Sequence, residues 1–250
     1  MRILGINALN HDAAISMIDD GKVVFAGHSE RYSGIKNDPE LNRQIFRDCF
    51  QNGKPHKIAY FERPWLKKAR QLRAGQYSEV FRLSNIPVNY LKRHLGNIPI
   101  EYVQHHQSHA AAGYYTSPYE ESCIVVIDAI GEFETCTIWY AYGSHFEKRF
   151  SLKYPNSLGL WYSAMTQRIG LKPQEDEYIL MGMDAWGTRD KELKQNIYND
   201  FFETGDLPLQ MKENLHRGCM NWNPSYYPND NTEEWKFNIA ANVQWICEEE

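Results

Sequence analysis

The sequence lacks the features that define several common classes of protein. Its five cysteines are scattered, odd in number and without a Cys-x-x-Cys pair, which disfavours a disulfide framework, a zinc knuckle or a dithiol redox centre. We expect reduced cysteines that act as packing residues. The apolar run at residues 1–6 is too short for a signal peptide or a spanning helix. We therefore expect a soluble, cytoplasmic protein with no membrane association.

An excess of basic residues is also absent. The chain has 27 Lys and Arg against 32 Asp and Glu, a net charge of -5, so nothing overall attracts it to nucleic acid. Low-complexity tracts and repeats at fixed spacing are missing too. With 250 residues, of which 42% are hydrophobic, the chain can bury a sizeable core. A folded globular protein is therefore expected.

The periodicity of apolar residues predicts an α/β protein. Strands are expected at residues 2–7, 13–18, 22–27, 57–61 and 100–103, with helices at 39–51, within 65–95 and from 105 onward. The continuous apolar run at 122–128 predicts a strand buried on both faces, followed by strands at 135–142 and 146–152. Beyond residue 155 the pattern is helical. We predict a core lobe over residues 1–155 and a mainly helical continuation over 156–250.

The end of the last predicted helix has two interpretations. It ends in three glutamates, which oppose the helix dipole, and no capping Gly or Pro follows. One interpretation is that the chain is part of a longer protein, in which case the apolar face of residues 239–246 would lack its partner. A frayed, solvated tail explains the same feature equally well.

Two histidines and an aspartate predict a metal site. His105 and His109 are four residues apart, so they share one face if a helix begins near His105. Asp128 follows a buried strand and supplies a carboxylate, which with two imidazoles suits a borderline divalent metal. In the alternative, His105 and His106 cap the end of the strand and His109 packs in the core.

A second candidate site lies in the predicted turn between the first two strands. His11 can accept a proton near neutral pH, and the neighbouring Asp12 can orient it or hold a substrate hydroxyl. Both residue types also suit an ordinary turn, and the two residues alone favour that simpler interpretation.

In combination and in order, these motifs resemble the O-carbamoyltransferase family of nodulation and antibiotic-tailoring enzymes. The segments that carry the resemblance are Ile3-Leu4-Gly5-Ile6, His11-Asp12-Ala13-Ala14, Glu30-Arg31-Tyr32 with Ile35-Lys36, His105-His106-Gln107-Ser108-His109-Ala110-Ala111, Val126-Ile127-Asp128-Ala129-Ile130-Gly131-Glu132, Ser157-Leu158-Gly159, Glu177-Tyr178, Met181-Gly182-Met183 and Ile239-Ala240-Ala241-Asn242-Val243-Gln244. They extend over essentially the whole chain.

The resemblance implies an actin-like, sugar-kinase-like (ASKHA) α/β lobe with a mixed sheet and flanking helices. In that family a separate domain makes carbamoyl adenylate from carbamoyl phosphate and ATP, and the actin-like domain moves the carbamoyl group to a hydroxyl. The resemblance implies that His11 and Asp12 act on the acceptor. It also implies that His105, His109 and Asp128 hold a divalent metal, iron(II) or alternatively zinc or manganese, against the nucleotide phosphate.

Four further residues of the shared motifs are expected to bind substrate or nucleotide: Lys36, Gly131, Glu132 and Glu177. The acceptor stays open, since a small-molecule or nucleoside hydroxyl would fit.

The sequence also departs from the family pattern. Ala129 stands where the family usually has Gly, and Ile179 where it often has Lys. The family's second lobe and its adenylate-forming domain are expected to be absent from this chain, so a second polypeptide or a missing C-terminal half would be needed. Two alternatives are a threonylcarbamoyl-type transferase acting on tRNA and a non-catalytic remnant that only binds the metal.

Overall fold

The computed structural model describes residues 1–204, 209–217 and 232–249, and it divides the chain into two compact units, Met1–Tyr115 and Thr116–Glu250. The predicted α/β class, a mixed sheet with flanking helices, is confirmed. Position 155, where the sequence analysis ended the core lobe, lies inside the second unit and marks the change there from strands to helices. None of the helices in the described ranges is both long and apolar enough to cross a bilayer.

The first unit is built on a five-stranded mixed sheet. Its strands are β1 (Arg2–Asn7), β2 (Ala14–Asp19), β3 (Lys22–His28), β4 (Lys57–Tyr60) and β5 (Ile100–Tyr102). The order across the sheet is β3-β2-β1-β4-β5. The first three strands form an antiparallel meander, whereas β4 pairs in parallel with β1 and β5 in parallel with β4. Strand β1 is therefore flanked on both sides.

Six α-helices complete the first unit. They are α1 (Glu30–Ser33), α2 (Arg43–Phe50), α3 (Pro64–Arg73), α4 (Tyr77–Val80), α5 (Pro87–Leu95) and α6 (His105–Tyr115). The helix expected from residue 39 begins only at Arg43. The reason is an N-cap, because the side-chain oxygen of Asn42 accepts hydrogen bonds from the amides of Gln44 and Ile45.

The core of the first unit lies between the sheet and α2. Helix α2 buries Ile45 and Cys49 completely, and they belong to one apolar cluster with Leu4 and Ile58 from the central strands. Burial disfavours the charged form of a thiol, and it raises the pKa of Cys49 to about 11. This cysteine is a packing residue, as expected.

The second unit contains a three-stranded antiparallel sheet in the order β6-β7-β8. Its strands are β6 (Glu121–Gly131), β7 (Glu134–Tyr142) and β8 (His145–Lys153). The prediction that β6 is buried on both faces is wrong. Val125 is 57% exposed and Ile127 is 61% exposed, whereas Val126 between them is buried. An antiparallel sheet can pack one face against the core and leave the other face exposed to solvent. The continuous apolar run therefore did not mean two buried faces here.

Four α-helices follow the second sheet in the described part of the chain. They are α7 (Leu158–Arg168), α8 (Glu177–Met183), α9 (Lys191–Phe201) and α10 (Glu233–Glu249). The expectation that the apolar face of residues 239–246 lacks a partner is wrong. Ile239, Val243 and Ile246 are fully or almost fully buried, in one cluster with Trp161 of α7 and Phe201 of α9. Helix α10 is thus a central element of the second unit.

The other cysteines differ in their surroundings. Cys123, Cys136 and Cys247 are free thiols, and Cys219 lies outside the described residues. Cys136 and Cys247 are half-buried, and burial raises the pKa of each thiol. Cys123 is exposed on β6, so its expected role as a packing residue is wrong.

A close approach of two backbones fixes α10 against the segment that follows α8. A β-carbon at position 187 would lie 2.0 Å from the carbonyl oxygen of Phe237, so only glycine fits at Gly187. Beside this contact the buried side chain of Asn242 donates to the carbonyl oxygen of Thr188 and accepts from the amide of Asp190.

We expect Gly187→Ala to lower the free energy of unfolding by about 1–3 kcal/mol, because the added methyl group must displace the backbone of α10. The matched control is Gly182→Ala in α8, where a β-carbon would meet nothing within 4 Å. That change should raise stability by up to about 1 kcal/mol, since Ala restricts the unfolded chain. Urea denaturation of the full chain measures both, and equal effects would contradict the close approach.

Candidate functional site

The loop between β1 and β2 brings three polar side chains together. The Asp12 carboxylate accepts a hydrogen bond from Nδ1 of His11 at 2.8 Å. Its other oxygen lies 3.4 Å from Nε2 of His28, at the end of β3. The His11 side chain is 66% exposed, whereas Asp12 and His28 are partly covered. The two residues that the sequence singled out are thus in contact, and a third residue joins them.

Backbone contacts hold this loop in its unusual conformation. Asp12 has a φ of 54°, in the left-handed region that few residues other than Gly, Asn and Asp adopt. The side-chain amide of Asn7 donates to the carbonyl oxygen of Asp12 at 3.1 Å. The next residue, Ala13, donates its amide to the carbonyl oxygen of Asp38 at 2.8 Å. The loop is therefore more constrained than an ordinary turn.

The contact between Asp12 and His11 selects a tautomer of the imidazole. An ionised carboxylate can only accept hydrogen bonds, so Nδ1 of His11 must carry the proton. Nε2 of His11 then has a free lone pair in the neutral ring. An imidazole that is oriented in this way can accept a proton from a hydroxyl.

His28 was not predicted as a site residue. It ends β3 and pairs in register with Ala14, so the sheet brings it beside the loop although 16 positions separate it from Asp12. No spacing rule within one element connects these residues. Only the pairing of β2 with β3 does.

The N-terminal turn of α6 carries the two histidines of the predicted metal motif. Nε2 of His105 lies 3.1 Å from Nε2 of His109, with the ring centres 4.8 Å apart. Helical spacing therefore directs the same nitrogen of both rings to one point, as expected. His105 is buried and His109 is exposed, so the alternative in which His109 packs in the core is wrong.

Contacts with Phe61, the residue that follows β4, fix the start of α6. The Ser108 hydroxyl group lies 3.0 Å from the carbonyl oxygen of Phe61 and 3.2 Å from that of Gln104. The ring of Phe61 meets the ring of His105 edge-on, 5.3 Å between centroids. The end of β4 thus sets the direction of the paired imidazoles.

Asp128 belongs to the second unit, where β6 is irregular. Pairing with β7 is regular up to Ile127 and resumes at Gly131. The Asp128 carboxylate accepts from the amide of Ala129 at 2.7 Å. Irregular strand segments of this kind often aim a side chain away from the sheet, and Asp128 occupies such a position.

The start of α7 clamps this irregular segment, which the sequence did not predict. The N-cap residue Ser157 donates its hydroxyl to the carbonyl oxygen of Ala129 at 2.7 Å and accepts from the amide of Leu160 at 3.0 Å. A β-carbon at Gly159 would lie 2.9 Å from the Cα of Ala129. The motif Ser157-Leu158-Gly159 therefore supports the strand end that carries Asp128.

The remaining predicted residues lie in separate places. Lys36 is exposed after α1, and Gly131 ends β6. Glu132 is buried in the hairpin turn with a φ of 60°. Glu177 begins α8, where its carboxylate accepts from the Ser163 hydroxyl and from the amide of Gln174. Glu177 thus connects α7 to the start of α8.

Comparison with known proteins identifies the family. A family model described as Carbamoyltransferase N-terminus matches residues 65–245, so the chain belongs to this family. The resemblance noted in the sequence is confirmed at that level.

Two curated relatives are similar to this chain. Over 218 residues it is 30% identical to "Uncharacterized protein sll1178" of Synechocystis, covering 74% of this chain and 34% of that protein. Over 225 residues it is 25% identical to "Nodulation protein NolNO" of Sinorhizobium fredii, covering 80% of this chain and 31% of that protein. The chain spans about one third of the length of these relatives.

Among solved structures, the chain is similar to two from Aquifex aeolicus. A member of the Ppx/GppA family is 16% identical, with a TM-score of 0.30, covering 78% of this chain and 62% of that one. A PPX-GPPA enzyme is 15% identical, with a TM-score of 0.34, and the match covers 74% of this chain and 62% of that one.

We expect Ser157→Ala to lower stability by about 1 kcal/mol, as loss of an N-cap does, and to loosen the Asp128 segment. Amide hydrogen exchange at residues 128–131 should become faster. Asn42→Ala is the matched control, because it removes the N-cap of α2 in the first unit. If exchange at residues 128–131 were unchanged in Ser157→Ala, or equally faster in Asn42→Ala, the clamp would be refuted.

Proposed function

We propose that this chain is part of a carbamoyltransferase that moves a carbamoyl group from carbamoyl adenylate to a hydroxyl of a small-molecule or nucleoside acceptor. Membership of the carbamoyltransferase family supports carbamoyl transfer. The use of carbamoyl phosphate and ATP to make the adenylate rests on the sequence resemblance. The observation that carries the catalytic part is the contact of the Asp12 carboxylate with Nδ1 of His11.

In the proposed reaction, Nε2 of His11 accepts the proton of the acceptor hydroxyl while the oxygen attacks the carbamoyl carbon. The bond between that carbon and the phosphate oxygen then breaks, and AMP leaves with the electron pair. The products are a carbamate ester, AMP and protonated His11. Asp12 is a positioning residue in this scheme, because its negative charge orients the ring and stabilises the imidazolium that forms.

We further propose that His105, His109 and Asp128 hold a divalent metal, iron(II) or alternatively zinc or manganese. The two convergent Nε2 atoms fit this role, since two neutral imidazoles can both direct lone pairs at one cation. The place of Asp128 in the set rests on donor chemistry and on the sequence resemblance. When bound, such an ion supplies positive charge that stabilises a nucleotide phosphate.

The roles proposed for Lys36, Gly131, Glu132 and Glu177 in binding substrate or nucleotide rest on the sequence motifs. Lys36 is an exposed cation and suits a phosphate group. The hydrogen bonds of Glu177 within the second unit favour a contribution to structure as well.

We expect the full chain to retain a divalent metal through purification. His109→Ala should lose the metal, because the one remaining imidazole binds a divalent ion too weakly to retain it. Asp128→Asn should weaken retention. Elemental analysis gives the stoichiometry, and circular dichroism checks that each variant is folded. His145→Ala, an exposed histidine in the hairpin between β7 and β8, is the control and should keep the metal. Full stoichiometry in His109→Ala would exclude this site.

We expect His11→Ala to slow carbamoyl transfer by about 10² to 10⁴-fold, since a positioned base typically contributes that much. Asp12→Asn should slow it less, because a neutral amide can still contact the ring, and Asp12→Glu should restore part of the rate. The assay measures the rate at which label from carbamoyl phosphate, in the presence of ATP, appears on the acceptor. It is run with and without a polypeptide that corresponds to the part of the relatives that this chain does not match. Metal content should stay unchanged in all three variants.

The same assay separates the alternatives. Transfer at the unmodified rate in both His11→Ala and Asp12→Asn would make the pair ordinary turn residues. Metal retention without any transfer, even with the added polypeptide, would favour a non-catalytic remnant. Label appearing on tRNA in place of a small acceptor would favour a threonylcarbamoyl-type enzyme.

A further inference from the structure

Helix α5 borders two open cavities in the first unit. One, of about 360 Å³, lies between α5 and the strands β4 and β5. The other, of about 410 Å³, lies between α5 and the preceding turn Leu83–Asn85. Lys92 lines both cavities, so they adjoin at its side chain. Both volumes fall in the range of about 300–1,000 Å³ that is typical of small-molecule sites.

The cavity beside β5 is mainly apolar. Six of its ten lining residues have large aliphatic or aromatic side chains: Ile58, Val88, Leu91, Ile98, Ile100 and Tyr102. Val88 is 46% exposed, so this wall of the cavity still contacts water. Burial raises the pKa of Tyr102, because the charged phenolate is disfavoured there. An apolar group that enters this cavity would therefore gain free energy by leaving water.

The cavity beside the turn is polar and basic. It is lined by Leu83, Ser84, Asn89, Lys92 and Arg93, and no acidic residue of the described ranges lines it. The side-chain amide of Asn89 donates to the carbonyl oxygen of Leu83 at 3.4 Å and so connects the turn to α5. Within the part of the chain that the structure describes, no carboxylate forms an ion pair with Lys92 or Arg93. Two such cations suit a carboxylate or a phosphate group.

Helix electrostatics account for only part of this arrangement. Lys92, Arg93 and His94 occupy the last turn of α5, where positive charge counters the helix dipole. The ring of His94 stacks on the ring of Phe46, with 5.4 Å between the centroids. The dipole explains why cations occur in this turn. It does not explain why two of them line a cavity next to an apolar one.

We propose that the two adjoining cavities bind one anionic amphiphile. Its carboxylate or phosphate headgroup lies at Lys92 and Arg93, and its apolar body occupies the cavity beside β5. Charge complementarity specifies the headgroup, and the aliphatic and aromatic lining specifies the body. None of these residues belongs to the candidate catalytic or metal groups, so the proposal is independent of carbamoyl transfer.

The test titrates the full chain with dodecanoate, below the concentration at which it forms micelles, by isothermal titration calorimetry. We expect saturable binding with one ligand per chain. Dodecanol lacks the charge and acetate lacks the apolar body, so each should bind at least tenfold more weakly. Amide hydrogen exchange should slow most at residues 83–100 when dodecanoate binds.

Substitutions at exposed positions provide the matched comparison. Lys92→Gln should weaken dodecanoate binding about tenfold, because a charge-assisted contact is lost. Val88→Asn should weaken it about fivefold, because an apolar contact is lost. Lys54→Gln, in the loop between α2 and β4, is the control and should leave the affinity unchanged. The melting temperature identifies any variant that is unfolded, and Arg93→Gln then takes the place of Lys92→Gln.

Vesicles of anionic phospholipid form a second arm, which separates a free amphiphile from a membrane surface. Sedimentation of the chain with vesicles, without binding of dodecanoate, would show that the surface recognises a membrane and would overturn the proposal. It would also be overturned by the absence of saturable binding, by equal affinities for dodecanol and dodecanoate, or by equal weakening in Lys54→Gln and Lys92→Gln.

Discussion

The pairing of β1 with a neighbour on each side is the interaction on which the first unit depends. It places the strand, with the buried side chains of Leu4 and Ile6, inside the sheet rather than at its edge. The loop that follows carries His11 and Asp12. The neighbouring strand β4 ends beside the start of α6, which carries the paired histidines. Both groups of candidate residues therefore lie just beyond the ends of sheet strands, where loops and helix ends are held by a rigid scaffold.

The second unit also begins with an antiparallel meander, but its helices and its sheet differ in how much apolar surface they expose. Helices α7, α9 and α10 form a dense apolar cluster, so the helical part is well covered. The sheet, in contrast, exposes the apolar side chains of Val125 and Ile127 on one face of its first strand.

Much of the architecture could be predicted because it follows from local patterns. Strand β1 matches its predicted bounds, and helices α4 and α5 lie within residues 65–95, where helices were expected. The spacing of His105 and His109 was sufficient to predict that their rings meet, because the geometry of one helix determines it. These features each lie within one element, so local spacing contains the information that they need.

The errors concern features that depend on distant neighbours. The apolar pattern of residues 122–128 predicted a strand, yet whether each face is covered depends on which elements pack there, and the sheet leaves Val125 and Ile127 exposed. In the same way, the apolar face of α10 was assigned no partner although α7 and α9 cover it. The amino-acid sequence by itself determined the strands, the helices and the chemistry of the candidate residues, through backbone periodicity and side-chain type. Only the tertiary structure decided that His28 meets Asp12 and that β6 lies at an edge, because strand pairing joins residues that no local spacing connects.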